Sequence, residues 1–84
     1  METIDKIIYT LSYFTDSDGS INAKEVSVFY DLVDDWDDAR EIVKLMKGCR
    51  YIATPVHTGP TVRYITTKKG TEYLKFLQDQ NQVQ

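Results

Sequence analysis

Apolar side chains repeat at helical spacing near the start of the chain, over residues 3–14. The members of this stripe are Ile4, Ile7, Ile8, Leu11 and Phe14. This period predicts an amphipathic helix with Thr3 in the capping position. The turn-forming residues 15–20, rich in Asp, Ser and Gly, end it.

Residues 23–33 carry two competing patterns. Apolar positions at 26, 29, 30 and 33 keep the helical period, and Asn22 is a suitable N-cap. Positions 26, 28, 30 and 32 are also apolar and alternate as in a strand, with β-branched residues among them. The sequence favours a second helix, and the strand remains the alternative.

A third helix is predicted from Asp34 and Asp35 to Gly48, which supplies a C-terminal stop. Its apolar stripe consists of Trp36, Ala39, Ile42, Val43 and Met46. In this prediction Asp37 and Asp38 lie in the first turn, where the helix dipole favours carboxylates.

The period changes to that of strands after Gly48. Residues 49–54 and 61–66 are predicted strands, and residues 55–60, with both prolines, form the loop between them. Thr67 is predicted to cap a last helix, and residues 78–84 are expected to fray as a glutamine-rich tail. We therefore expect a single α+β domain over residues 1–77.

The order of three helices, two strands and a helix resembles a winged helix. Residues 64–74 are similar to the passage that ends the wing and opens the next helix in MarR- and PadR-like regulators, with Thr67, Lys69 and Gly70 in the matching roles. Thr66 departs from the Leu or Ile preferred there. The resemblance implies a three-helix core, a two-stranded β-hairpin wing and a C-terminal helix. It also implies a transcription regulator whose third helix enters the major groove of DNA.

Charge is distributed unevenly between the two halves of this chain of 84 residues, whose net charge is −3. Residues 1–41 carry eleven acids and three bases, a balance of −8, and residues 42–84 carry seven bases and two acids, a balance of +5. Such asymmetry concerns partners rather than fold. Carboxylates at the N-terminal end of the third helix oppose its approach to phosphates. These acids are Asp34, Asp35, Asp37, Asp38 and Glu41.

Basic residues gather around the predicted wing instead. They are Arg50, His57, Arg63, Lys68 and Lys69. We therefore expect double-stranded DNA, if it is the ligand, to be contacted mainly by the wing and its flanks. The alternative is a protein–protein interaction module that binds a basic partner through the acidic face. Both charge groups also have a purely structural interpretation, as acids near a helix N-terminus and as solvated surface cations.

Other classes of function have little support in the sequence. The 42% apolar composition is typical of a globular protein, and no apolar stretch is long enough for a signal peptide or a transmembrane helix, so a cytoplasmic location is expected. One cysteine and one histidine provide neither an internal disulfide nor a zinc cluster, and both calcium-loop registers around Gly19 fail. We expect no enzymatic activity, cofactor or metal. Self-association through the terminal helices is a further expectation.

Overall fold

The computed structural model describes residues 2–15, 23–54 and 60–82. Its elements in chain order are α1 (Thr3–Phe14), β1 (Lys24–Glu25), α2 (Val26–Leu32), α3 (Ala39–Gly48), β2 (Ile52–Ala53), β3 (Arg63–Thr66) and α4 (Lys68–Gln82). β3 lies between β1 and β2 and is antiparallel to both. The fold is therefore α+β, and its arrangement is compatible with a small winged-helix-like domain.

α1 has the bounds that the apolar period predicts. Its N-cap is Glu2 rather than Thr3, and no side chain caps it. Leu11 and Phe14 are fully buried, and the buried Thr10 hydroxyl donates to the Lys6 carbonyl oxygen at 2.7 Å. The apolar stripe predicts this helix correctly because the helix face that carries the stripe packs into the core.

Residues 23–33 contain a short strand followed by the favoured helix, and the alternating positions 26, 28, 30 and 32 that suggested a strand all lie in that helix. β1 pairs with β3 in the register Lys24 to Tyr64 and Glu25 to Arg63, and α2 starts at the next residue. Phe29 then enters the core with no exposed surface. The prediction of a two-stranded sheet missed β1, because two residues of strand are too short to leave a period. The proposed Asn22 cap lies outside the described residues.

The third helix begins later than predicted, and the placement of Asp37 and Asp38 in its first turn is wrong. α2 ends at Leu32, and two short turns separate it from Ala39. The Trp36 N–H donates to the Val33 carbonyl oxygen at 2.9 Å, which brings both side chains into the core. The turn therefore buries apolar residues whose spacing had indicated a helix.

α3 ends at Gly48, as predicted, and a Schellman motif follows in which the left-handed residue is Arg50 rather than a glycine. The Arg50 N–H donates to the Lys47 carbonyl oxygen at 3.0 Å, and the Tyr51 N–H donates to that of Met46 at 2.9 Å. Arg50 has a φ of 63°, the left-handed conformation of this motif. These bonds occupy residues 49–51, and β2 is consequently shorter than the predicted strand over 49–54.

α4 is capped as predicted. The Gly70 N–H donates to Thr67 Oγ1 at 3.0 Å, which satisfies one of the free donors of the first turn. The helix continues to Gln82 and so extends into residues 78–84, where fraying was expected.

One core joins the helices to the sheet. Its buried members are Leu11, Phe14, Phe29, Val33, Trp36, Ala39, Ile42, Val43, Met46, Ile52, Tyr64 and Leu74. Trp36 is 9% exposed and belongs to this core, as its membership of the predicted apolar stripe indicates. Every element except β1 contributes to this set. The charged surfaces described below therefore lie on elements that share one core.

Candidate functional site

Three of the five basic residues predicted to bind DNA lie at one corner, where α3 ends and α4 begins. The Thr67 hydroxyl donates to the Arg50 carbonyl oxygen at 2.7 Å, and the Thr67 N–H donates to that of Tyr51 at 2.9 Å. Residues 50–51 therefore lie beside the first turn of α4. We call Arg50, Lys68 and Lys69, all exposed, the basic corner.

Gly70 allows the close approach at this corner. A Cβ on Gly70 would overlap the carbonyl oxygen of Tyr51 and would lie 2.8 Å from Thr66 Cγ2. Glycine is thus required by packing at this position. Lys69 and Gly70, which carry the resemblance to the wing passage, therefore have different roles. Lys69 provides an exposed charge, and Gly70 leaves space for the backbone of Tyr51.

A row of aromatic rings begins at the basic corner. The Lys69 ammonium lies 5.5 Å from the centroid of the Tyr51 ring. Tyr51 stacks on Tyr73 with a centroid distance of 4.4 Å and an interplanar angle of 13°, and Tyr73 continues to Phe76 at 6.5 Å and 19°. We call Tyr51, Tyr73 and Phe76 the aromatic row. Tyr51 and Tyr73 are half-buried, whereas Phe76 is 54% exposed.

Sequence reasoning missed the aromatic row. Tyr73 and Phe76 are three residues apart, a spacing that places them on one side of a helix. The position of Tyr51 depends on the Schellman motif and on the bonds of Thr67, which no local pattern indicates. Part of the row was therefore detectable from the sequence, and its junction with the basic corner was not.

Arg63 lies apart from the basic corner, at the opposite end of β3. Its guanidinium Nη2 lies 2.9 Å from Glu25 Oε1, and its Nη1 donates to the Ala23 carbonyl oxygen at 3.3 Å. The Arg63 side chain remains 41% exposed. It therefore binds β1 to β3 while keeping donors available to solvent. His57, the remaining member of the predicted set, lies outside the described residues.

The predicted acidic face lies mainly in the turns before α3. Asp34, Asp35 and Asp37 are exposed there, and Glu41 is exposed in the first turn of α3. Asp38 is partly covered, and its Oδ1 lies 3.0 Å from the Lys6 ammonium. Of these five carboxylates, only Asp38 makes an ion pair with another residue in the described part of the chain. We call Asp34, Asp35, Asp37 and Glu41 the acidic turn.

A surface pocket, the hollow, lies beside the acidic turn and has a volume of about 180 Å³. Its lining includes Tyr30, Trp36, Asp34, Asp37 and Arg40. The Arg40 guanidinium lies 4.5 Å from the centroid of the Tyr30 ring. Burial raises the pKa of Tyr30 above 10.0, against the opposing effect of Arg40. The phenol is therefore neutral at ordinary pH, and the charges of the hollow are those of its carboxylates and its arginine.

α3 itself is more basic than the predicted helix. Within Ala39–Gly48 the exposed charged residues are Arg40, Lys44 and Lys47 against Glu41. The Lys47 ammonium lies 5.6 Å from the ring centroid of Tyr64. Most of the carboxylates assigned to the third helix thus precede it, and the charge opposing phosphates is concentrated at its N-terminal end.

Comparison with family models, curated proteins and solved structures gives no significant match to the chain. None of the described helices is both long and apolar enough to cross a membrane. Within residues 2–15, 23–54 and 60–82, no three His, Cys, Asp or Glu side chains are grouped to hold a metal ion. The arguments for function therefore come from the two charged surfaces.

Proposed function

We propose that this chain is a winged-helix protein that binds double-stranded DNA, with the basic corner as its main phosphate contact and the wing, with His57 and Arg63, as a second contact. The element order α1-β1-α2-α3-β2-β3-α4 and the strand order β1-β3-β2 support this assignment. About 10 Å of β3 separates Arg63 from the corner, given the usual rise per residue. Contacts at this spacing can bind two phosphates of one strand that are about three nucleotides apart.

The observation that carries the proposal is the arginine at position 50. Its φ of 63° belongs to the C′ position of a Schellman motif, where glycine has no steric cost and other residues lose about 1 kcal/mol or more. Arg50 is exposed, and its carbonyl oxygen accepts from the hydroxyl of Thr67, the residue that precedes the two exposed lysines. An arginine at a position that costs stability, in a segment that meets the start of α4 with its two lysines, supports a role for its charge in binding an anion.

The acidic turn argues against contact through the start of α3. Helix-turn-helix proteins place the N-terminal residues of the recognition helix against the base edges. Here Asp34, Asp35 and Asp37 immediately precede that end and Glu41 lies in its first turn. Since affinity for DNA comes largely from cations that displace phosphate counterions, the basic corner and the wing are the favoured contacts.

Fluorescence anisotropy with a labelled DNA duplex, measured over a series of salt concentrations, tests the proposal. Replacing both Lys68 and Lys69 by alanine should weaken binding. The slope of log K against log salt should become less steep by about 1.8, because each phosphate contact contributes about 0.9.

The matched control is Lys44→Ala with Lys75→Ala, which removes the same charge from two exposed lysines elsewhere. Its salt slope should stay near that of the unmodified protein. An equal loss in both double variants would remove the basic corner from its assigned role. Unchanged binding in the Lys68 and Lys69 variant would do the same.

A second candidate function is supported by the acidic turn, whose four carboxylates are exposed and make no ion pair within the described residues. In this alternative the four carboxylates bind a basic protein. Neutralising Asp34, Asp35 and Asp37 to asparagine separates the two candidates, since the expected effects have opposite signs. DNA affinity should rise when these repulsive charges are removed, whereas affinity for a lysine- and arginine-rich peptide should fall.

A further inference from the structure

We infer that the aromatic row and the basic corner together form a binding site for single-stranded nucleic acid. This inference goes beyond the proposed function, because it assigns to the basic corner a second ligand in addition to the duplex. Proteins that bind single strands without sequence preference combine cations along the backbone path with aromatic rings on which bases stack. The structure places both features side by side. Tyr51 and Tyr73 pack partly against the core, whereas Phe76 and the three cations of the basic corner are exposed.

The exposed end of the row has the chemistry for base stacking. Tyr51 and Tyr73 are nearly parallel at 4.4 Å, and Phe76 extends the stack with a tilt of only 19°. Phe76 is 54% exposed and is not a member of the core. A large aromatic ring left in water at the end of a stack offers the apolar surface that an unpaired base covers.

The length of the site fits a short stretch of strand. Lys69 and Phe76 are seven residues apart on α4, which corresponds to about 10 Å along the helix axis. A stacked strand advances about 3.4 Å per phosphate, so this distance spans about three nucleotides. Phosphates can lie at the basic corner while a base of the same strand reaches Phe76.

Charges around Phe76 favour a base over a phosphate at that end. Glu72 and Asp79 are exposed one turn before and one turn after Phe76, with Lys75 between them. Their carboxylates repel a backbone that passes over the ring, and they do not oppose an uncharged base. The bases of a duplex are already stacked on one another and present no free face to Phe76. Phe76 therefore adds affinity for single strands and none for duplexes, whose phosphates can still bind at the basic corner.

The test compares a labelled twelve-nucleotide thymidine strand with a twelve-base-pair duplex by fluorescence anisotropy. Phe76→Ala should weaken binding of the single strand about 5- to 150-fold, the effect of losing 1–3 kcal/mol of stacking on one base. Duplex binding should change less than twofold. Phe76→Tyr keeps the ring and should retain the affinity, and Leu45→Ala removes an equally exposed apolar side chain from α3 and should have no effect.

The outcomes distinguish this inference from the proposed function. If Phe76→Ala leaves single-strand binding unchanged, the inference is overturned, and the proposed function stands as long as the duplex binds through Lys68 and Lys69. Failure of the unmodified protein to bind either probe overturns both. Light scattering of the same variants completes the test, because a dimer that becomes a monomer on Phe76→Ala would assign the ring to a second copy and overturn the inference.

Discussion

Arg50 and Gly70 are the residues that determine how closely the end of α3 meets the start of α4. Arg50 adopts the left-handed conformation that directs the chain back toward the sheet, and Gly70 leaves room for the carbonyl group of Tyr51. The usual preference for glycine applies to both positions, for conformational reasons at the first and for steric reasons at the second. Only the second position holds a glycine. This difference is the reason for assigning a binding role to the Arg50 side chain.

Substitutions of Gly70 and Gly48 by alanine should have opposite effects on stability. Gly70→Ala should lower the free energy of unfolding by about 1–3 kcal/mol, because its Cβ meets backbone atoms that cannot move independently. Gly48 is also helical, but a Cβ there meets nothing within 4 Å. Gly48→Ala should therefore raise the free energy by up to about 1 kcal/mol, the difference in helix propensity. Urea unfolding followed by circular dichroism measures both, and a gain in stability for Gly70→Ala would contradict the packing described.

At the scale of elements, Thr67 connects α4 to the turn that follows α3. Its hydroxyl accepts from the Gly70 N–H and donates to the Arg50 carbonyl oxygen, and its N–H donates to Tyr51. One side chain thus caps a helix and fixes the neighbouring segment. The sequence indicates the capping role, whereas the second partner is a contact between residues 17 positions apart.

Thr67→Ala should lower the free energy of unfolding by about 1–2 kcal/mol, the usual cost of a lost N-cap. Thr67→Ser keeps the hydroxyl and should stay within about 0.5 kcal/mol of the unmodified protein. Urea unfolding at neutral pH provides the measurement. An equal loss in both variants would show that the methyl group rather than the hydroxyl stabilises this junction.

At the scale of the whole molecule, the uneven charge of the two halves is only partly neutralised by internal contacts. Lys6 with Asp38 is an ion pair within the acidic half, whereas Arg63 with Glu25 joins the two halves. The acidic turn and the basic corner remain exposed at different ends of α3. The charge division of the sequence therefore becomes two separate surfaces, which is what allows one chain to support two opposed binding hypotheses.

The stability of the whole molecule should decrease at alkaline pH. Burial raises the pKa of both Tyr13 and Tyr30 above 10.0. Near pH 10 the unfolded chain then releases protons that the folded state retains, so the free energy of unfolding falls as the pH rises from about 10 through the raised values. Urea unfolding between pH 7 and 11 measures this decrease.

The control for the pH series replaces Tyr13 and Tyr30 by phenylalanine, which removes their contribution. The decrease should be smaller in this double variant. Equal pH dependence in the two proteins would refute the assignment of raised pKa values to these phenols.

The sequence by itself determined α1, the cap and start of α4, the core position of Trp36 and the α+β class. Each of these depends on a local period or on a hydrogen bond within four residues, which a linear pattern records. The uneven charge was also fully determined by the sequence. The sequence therefore identified the candidate binding residues, but it did not indicate which of them lie close together.

The tertiary structure decided which of those residues meet. The strand β1 and the aromatic row depend on contacts between distant segments. The start of α3 at Ala39 and the left-handed Arg50 depend on short turns that leave no hydrophobic period. Trp36 enters the core from a turn. Its position along the chain also fits the helical period of α3, and the predicted helix therefore included it. Tyr51 joins Tyr73 because Gly70 admits its backbone. Such contacts follow from packing in three dimensions, which hydrophobic periodicity along the chain does not specify.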